Sequence, residues 1–193
     1  RHNAENGLVA LGMLTLAGLS LEEALTGLGQ APAAPGRLEQ VSGVRRVLVD
    51  YAHSPDALEN VLGALKPLVA GRIICVFGAG GDRDPGKRPE MGAVVSRMAD
   101  YAVVTSDNPR SEDPQSILDA IVTGMSDQTP REEVVDRRQA IERAIRIAHK
   151  DDLVLLAGKG HETTQEIAGV KTTFDDRVEA ERVLDALSSE GVS

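Results

Sequence analysis

Short unbroken apolar runs alternate along this chain with longer stretches in which apolar residues recur at helical spacing. The runs are RVLVD at 46–50, RIICVF at 72–77, YAVVT at 101–105 and LVLLA at 153–157. Between them lie SPDALENVLGAL at 54–65, a helical pattern from about Arg88, DPQSILDAIVTGM at 113–125 and DRRQAIERAIRIAHK at 136–150; DDRVEAERVLDAL at 175–187 closes the series. Strands that are apolar throughout are buried on both faces. Alternated with amphipathic helices, they predict an α/β fold, a mostly parallel sheet with helices on both sides. Several helix starts are marked, by Ser54 before Pro55, by Asp113 before Pro114 and by Asp136, because a side-chain acceptor and a preset φ suit the first turn. EEVV at 132–135 reads as a short edge strand, and IAGVKTTF at 167–174 as one antiparallel strand.

The opening of the chain has a different character. Residues 4–17 carry apolar side chains at helical spacing, and SLEE supplies a capping box, Ser20 with Glu23, for a second short helix. APAAPG at 31–36 is a Pro/Ala linker. The expected division is therefore residues 1–33, a short helical remnant of another domain, and residues 34–193, the α/β domain. With no Met at its start and a helical pattern almost at once, the sequence reads as a piece of a longer chain.

Composition narrows the function classes. Aromatic residues make up only 2% of the 193 residues, so the core must be built from Val, Leu, Ile and Ala. So few aromatic platforms weigh against single-stranded nucleic-acid binding. The formal net charge of −9 gives no global basic field for duplex nucleic acid or an anionic membrane. An anionic ligand would need a local cluster of cations. Cys75 is the only cysteine, so no disulfide forms within the chain, which fits a reducing cytoplasm. No stretch is long and apolar enough to span a bilayer. The four histidines are scattered, and no metal site or nucleophile–base arrangement is predicted.

In open parallel sheets, ligands bind beyond the carboxyl ends of the strands. Here those ends run into Asp50-Tyr51-Ala52-His53, GAGGDRDPGKRPEMG at 78–92, Ser106-Asp107-Asn108-Pro109-Arg110 and Gly158-Lys159-Gly160-His161-Glu162. The opposite ends carry ordinary turns. The glycine-rich loop resembles two phosphate signatures and satisfies neither. Gly81 to Lys87 has P-loop spacing, but Arg88 stands where Ser or Thr should meet magnesium; Gly78 and Gly80 begin a dinucleotide fingerprint whose third glycine is missing. Asp82 and Asp84 inside the loop would repel a phosphate. Arg83, Arg110 and Lys159 beside Asp107, Glu162 and Asp82 instead suit a zwitterion, since Arg clamps a carboxylate with two parallel bonds and a carboxylate takes an ammonium. Singly, each motif also reads as a plain turn: DNPR with a surface Arg, GKGHE with a solvated Lys. His149, near a helix C-terminus, is assigned no role.

HNAEN, PGRLE, DYAHSPDAL, FGAGGDRDPGKRPEMG, SDNPR and AGKGHE occur here in the order found in the Mur ligases. The sequence resembles that family from Arg1 to about Leu187, and most closely its branch that extends UDP-MurNAc-L-Ala-D-Glu in peptidoglycan assembly. The resemblance implies a three-domain, ATP-dependent ligase. Its first domain holds the UDP end, its central domain carries a P-loop for ATP and Mg2+, and its last, Rossmann-like domain takes the incoming amino acid. It further implies that ATP converts the D-Glu carboxylate into an acyl phosphate, which the amine of the acceptor attacks. DNPR resembles the form associated with meso-diaminopimelate rather than L-lysine. Carried over residue by residue, Arg83, Asp107, Asn108, Arg110, Gly158 and Glu162 match diaminopimelate-contacting positions. Asn3, Arg37, Asp50 and His53 match positions beside the nucleotide. No catalytic residue is carried over. The P-loop and UDP-binding domains are absent from this sequence, so the remaining domains of the ligase are implied as partners and this stretch alone is expected to be inactive. A lysine-adding relative and a non-catalytic zwitterion-binding module are the alternatives.

Overall fold

The computed structural model describes residues 2–31 and 34–191, with side chains described from Asn6 onward. They fall into two compact units that divide between Ala34 and Pro35. The first unit is a helix pair, α1 (His2–Leu16) and α2 (Leu21–Gln30). The capping box read from SLEE is present: the Ser20 hydroxyl accepts from the Glu23 amide, and the Ser20 amide donates to Glu23 Oε2 at 2.9 Å. Two orphan donors of the first turn are thereby satisfied.

The second unit is a six-stranded sheet between two helical layers. In chain order its elements are β1 (Glu39–Val41), β2 (Arg46–Asp50), α3 (Pro55–Leu65), β3 (Ile73–Phe77), α4 (Lys87–Met98), β4 (Tyr101–Thr105), α5 (Pro114–Val122), β5 (Arg131–Val134), α6 (Arg137–Ile147), β6 (Leu153–Ala157), β7 (Thr164–Ile167), β8 (Val170–Thr173) and α7 (Asp176–Ser189). The sheet order is β1-β2-β6-β3-β4-β5, with β1 antiparallel to β2 and every other pair parallel. Successive residues point to opposite faces, so each apolar strand feeds two cores. Ile73, Cys75 and Phe77 pack with Leu58, Leu62, Val95 and Ile121 of α3, α4 and α5. Ile74 and Val76 pack with Ile141, Ile145, Val183 and Leu184 of α6 and α7. The helix starts use the expected caps, Ser54, Asp113 and Asp136, each accepting an amide of the first turn.

Two details depart from the pattern reading. IAGVKTTF is not one strand of the main sheet; it contributes the turn and second strand of a separate two-stranded hairpin, β7–β8. Ala168 and Gly169 at its tip both have positive φ, 50° and 74°, the turn whose twist matches paired strands. The antiparallel member of the sheet is β1, three residues long, too short to leave a periodic signal.

The edge of the sheet away from the strand carboxyl ends is tied by Asp152. Its Oδ2 accepts from Arg72 at 2.7 Å and from the His149 amide at 2.9 Å, and its Oδ1 accepts the Arg72 amide at 2.7 Å. Burial works to raise this carboxyl, but the Arg72 pair and the amides outweigh it and hold it below the ordinary range. A carboxyl depressed in the folded chain contributes stability that is complete above its unfolded value, about 4, and is lost as pH falls through the folded value. The urea midpoint should therefore fall as pH drops from 5 to 3. Asp152→Asn should lower the midpoint at pH 7 and flatten that acid slope. An unchanged slope in the variant would remove Asp152 from the account.

Candidate functional site

The carboxyl ends of β2, β3, β4 and β6 lie side by side through the parallel register, and their loops interlock. A Cβ at Gly78 would meet the Thr105 carbonyl, and one at Gly81 would meet the Pro109 carbonyl. Glycine is required there because one backbone lies directly on another. The Gly81 amide donates to the Asn108 carbonyl at 2.9 Å, locking the glycine-rich loop to DNPR.

The same loop is not a phosphate cradle. An anion site of that kind needs free amides, and several of this loop's amides are engaged by the chain itself. Asp82 N donates to Glu112 Oε1 at 2.6 Å, Gly86 N to Asp84 Oδ1 at 3.0 Å and Arg88 N to the Pro85 carbonyl at 3.2 Å. Asp82, at φ 53°, accepts from the Ser111 hydroxyl at 2.6 Å. Arg88, where a magnesium-binding hydroxyl would stand, is buried and donates to Glu112 at 2.8 Å. That hydrogen bond, helped by the Asp82 amide, holds the Glu112 carboxyl below its usual range.

Around this locked frame, opposite charges converge. Lys159 is fully buried, a correction to the reading of a solvated lysine. Gly158, at φ 116°, turns the chain there and donates its amide to the Asp50 carbonyl. Lys159 Nζ lies 3.3 Å from both Asn108 Oδ1 and Glu162 Oε2, and 3.7 Å from Asp107 Oδ1. Asn108 Nδ2 donates to Glu162 Oε2 at 2.9 Å. Asp107 is buried and its Oδ1 has no hydrogen-bond partner among the described residues. Burial pushes its carboxyl above the ordinary value, against the pull of Arg137 and Lys159.

DNPR is not a free surface turn. Arg110 takes a positive φ of 53°, its amide donates to the Glu166 carbonyl at 3.0 Å, and its guanidinium donates to the Gly81 carbonyl at 2.5 Å. Its other guanidinium nitrogens make no hydrogen bond among the described residues. Arg83 is exposed. Arg83 Cγ and Arg110 Nη1 flank Gly80, 3.5 and 3.0 Å from where a Cβ would stand. The β7–β8 hairpin is pinned beside them: Gln165 Nε2 donates to the Asp107 carbonyl at 2.9 Å, and the Glu166 amide to Asn108 Oδ1 at 3.1 Å. Asp107, Asn108, Gly158 and Glu162 thus come together around Lys159, with Arg83 and Arg110 at the adjoining Gly80–Gly81 turn.

The second group of sequence candidates is arranged differently. Asp50 is buried and accepts the Leu38 and Ala52 amides at 2.9 and 2.8 Å, so both carboxylate oxygens already serve the chain's own turn. Arg37 and His53 gather on Tyr51: the Arg37 guanidinium lies 5.1 Å from the ring centre, with the His53 and His161 rings at 4.5 and 5.5 Å. The Asn3 side chain lies outside the described residues. Sequence reasoning did not select Tyr51, His161, Gln165 or Glu166. The first two sit inside the DYAH and GKGHE motifs and had a positional signal; the hairpin pair had none.

Residues 36–160 match the family described as Mur ligase, glutamate ligase domain. The chain belongs to the Mur ligase family. It is 51% identical, over 94% of its length, to the UDP-N-acetylmuramoyl-L-alanyl-D-glutamate--2,6-diaminopimelate ligase of Thermosynechococcus vestitus. It is 50% identical, over 99% of its length, to the ligase of the same description from Ralstonia nicotianae. A solved structure of a ligase so described superposes with a TM-score of 0.77 at 42% identity, covering 96% of this chain and 39% of that one. This Mur ligase chain spans 37% and 38% of the two relatives' lengths. Among its described residues, no three His, Cys, Asp or Glu side chains gather as metal ligands, the Asp82, Gly86 and Arg88 amides of the loop are engaged, and Arg88 is buried against Glu112 where a magnesium-binding hydroxyl would stand. These residues do not fit a magnesium–nucleotide phosphate site. Incubated alone with ATP and magnesium, this Mur ligase chain should release no phosphate above background. Release that survives ion exchange and disappears in Arg83→Ala would show that the loop binds phosphate after all.

Proposed function

We propose that this chain is the acceptor-amino-acid part of an ATP-dependent ligase that adds meso-diaminopimelate to UDP-MurNAc-L-Ala-D-Glu, in the cytoplasm, during peptidoglycan synthesis. In this reading, residues 1–33 are the last helices of the central ATP-binding domain and residues 34–193 are the amino-acid-binding domain. Exposed Leu8, Val9, Met13 and Leu16 on α1 support the first assignment, because contiguous exposed apolar side chains mark a surface made for a partner. That partner is the rest of the same ligase, which supplies the sites for ATP, Mg2+ and the UDP-muramyl dipeptide.

The observation that carries the reading is a set of opposite charges held on one rim: Arg110 at Gly81, and Glu162 at Asn108 and Lys159. Diaminopimelate has an amino-acid head at each end. Arg110, with Arg83 beside it, takes the distal carboxylate, while Glu162 and Asp107 take the distal ammonium, with Asn108 and Gly158 shaping the same wall. Holding the far head leaves the near amine free to attack the acyl phosphate made on the D-Glu carboxylate. The new C–N bond forms as the C–O bond to phosphate breaks. Positioning of this kind, which replaces a bimolecular encounter, is the contribution of such a domain. Arg37 and His53 on Tyr51 lie against the nucleotide in this reading, with Asp50 bracing their turn.

The test is the complete ligase supplied with ATP, UDP-MurNAc-L-Ala-D-Glu and either diaminopimelate or L-lysine, with products read by mass. Diaminopimelate should be incorporated preferentially. Equal or better use of lysine would transfer the chain to a lysine-adding function, and no use of either, with binding retained, would favour a non-catalytic module.

A further inference from the structure

Lys159 has no role in the reading above beyond lying beneath the site, yet its surroundings are unusual. A long ammonium side chain is rarely fully buried unless its charge is paired. Lys159 is 0% exposed, and its Nζ faces three groups: Asn108 Oδ1, Glu162 Oε2 and Asp107 Oδ1. All three belong to the proposed acceptor site.

The chemistry of these neighbours fixes the Asn108 side chain. An ammonium and a backbone amide only donate, and a carboxylate only accepts. Asn108 faces the Lys159 ammonium and the Glu166 amide on one side and the Glu162 carboxylate on the other. Its oxygen must therefore face Lys159, and its nitrogen must face Glu162. Reversing the amide would set two donors against a donor and two acceptors against each other.

We propose that Lys159 is the positioning residue of the acceptor site, setting the orientation of the Asn108 carboxamide and the placement of the Glu162 carboxylate from beneath. This rests on the acceptor reading given above. Lys159 does not touch the ligand. It acts through Asn108 and Glu162, which present a carboxylate oxygen and an amide edge to a ligand ammonium. Arg137 is the other buried cation near Asp107, but it is engaged bidentately by Asp176 at 2.8 and 2.6 Å. Lys159 is thus the cation free to divide its bonds among the site groups.

The test uses Lys159→Met in the complete ligase, which keeps the length of the side chain and removes the charge. The KM for diaminopimelate should rise about tenfold or more, while the KM values for ATP and the UDP-muramyl dipeptide stay within about twofold. A lysine needed only for folding would lower the active fraction without moving one KM alone. The second measurement is a cycle with Glu162→Gln. If Lys159 acts through Glu162, its removal should have much less effect in that background than in the wild type, and additive effects would overturn the proposal. Should Lys159→Met fail to fold, Lys159→Met/Asp107→Asn, which no longer buries an unmatched carboxylate, is compared with Asp107→Asn alone; the same selective rise in acceptor KM is expected. Equal KM values in that comparison, or failure of the double variant to fold, would reduce Lys159 to a structural residue. Wild-type enzyme that ignores diaminopimelate would instead defeat the underlying functional reading.

Discussion

Arg110→Ala, made in the complete ligase, should raise the KM for diaminopimelate by roughly ten- to more than a hundredfold, as expected for losing a charged hydrogen-bonded partner worth about 1.5–3 kcal/mol. Any residual use of lysine should change far less, because lysine has no distal carboxylate to lose. The expectation rests on how Arg110 is held. Its backbone is held at a positive φ by the Glu166 carbonyl, and one arm of its guanidinium is anchored on the Gly81 carbonyl. The rest of the fork is left for a ligand, and an anchored fork sacrifices little freedom on binding. Against lysine, the same fork would be desolvated without a partner, which is how a polar site rejects an analogue lacking the matching group. Arg110→Lys should rescue only in part, since an ammonium cannot bond a carboxylate through two parallel N–H groups. Asn108→Ala should cost less than Arg110→Ala, because what it removes is neutral. Steady-state rates with each amino acid decide this. A diaminopimelate-to-lysine preference unchanged in Arg110→Ala would defeat both the role of this residue and the choice of acceptor.

The sequence made the layered sheet readable because β3 and β6 are buried and apolar at every position and β2 and β4 are apolar at their centres, while several of the helices between them carry explicit caps. The hairpin β7–β8 was misread as one strand because its turn is Ala-Gly, not the Asn-Gly or Asp-Gly that announces such turns. At the site, the residues themselves were visible as dense polar clusters after apolar strands. Their bonding was not. A lysine between two glycines looks solvated in a one-dimensional reading, and only the Gly158 turn and the Asn108 and Glu162 side chains reveal that Lys159 points inward. The near-miss phosphate loop was rejected on the identity of Arg88 and on two acids. The structure adds a further reason, that the Gly81, Asp82, Gly86 and Arg88 amides already have acceptors within the chain.

Arg137→Ala should be among the most destabilising substitutions in this chain, at about 3–5 kcal/mol. Against a total stability of about 5–15 kcal/mol for an ordinary domain, that is a large share of the whole. Arg137 and Asp176 are both completely buried and paired through two bonds of 2.8 and 2.6 Å. The same guanidinium donates to the Ala157 carbonyl at 3.1 Å and the Ser106 carbonyl at 3.4 Å. It therefore joins the starts of α6 and α7 to the carboxyl ends of β6 and β4, immediately before Gly158 and Asp107. Burial works against its charge, but Asp176 more than compensates and holds the guanidinium firmly protonated. Truncation leaves Asp176 as an unmatched buried carboxylate and two carbonyls without their donor. Arg137→Met/Asp176→Leu removes both charges together and should recover much of the loss, since an apolar pair of similar volume is often no worse than a buried ion pair. The double variant would still lack the donor to the Ser106 and Ala157 carbonyls. Even when folded, it should bind diaminopimelate more weakly, because the peptides leading into Asp107 and Gly158 are no longer braced. Urea unfolding of the chain measures the first effect: a loss below about 1 kcal/mol in Arg137→Ala would mean that solvent reaches Asp176 and the pair is not a strut. Acceptor KM in the double variant of the complete ligase measures the second, and a wild-type value there would confine Arg137 to stability alone.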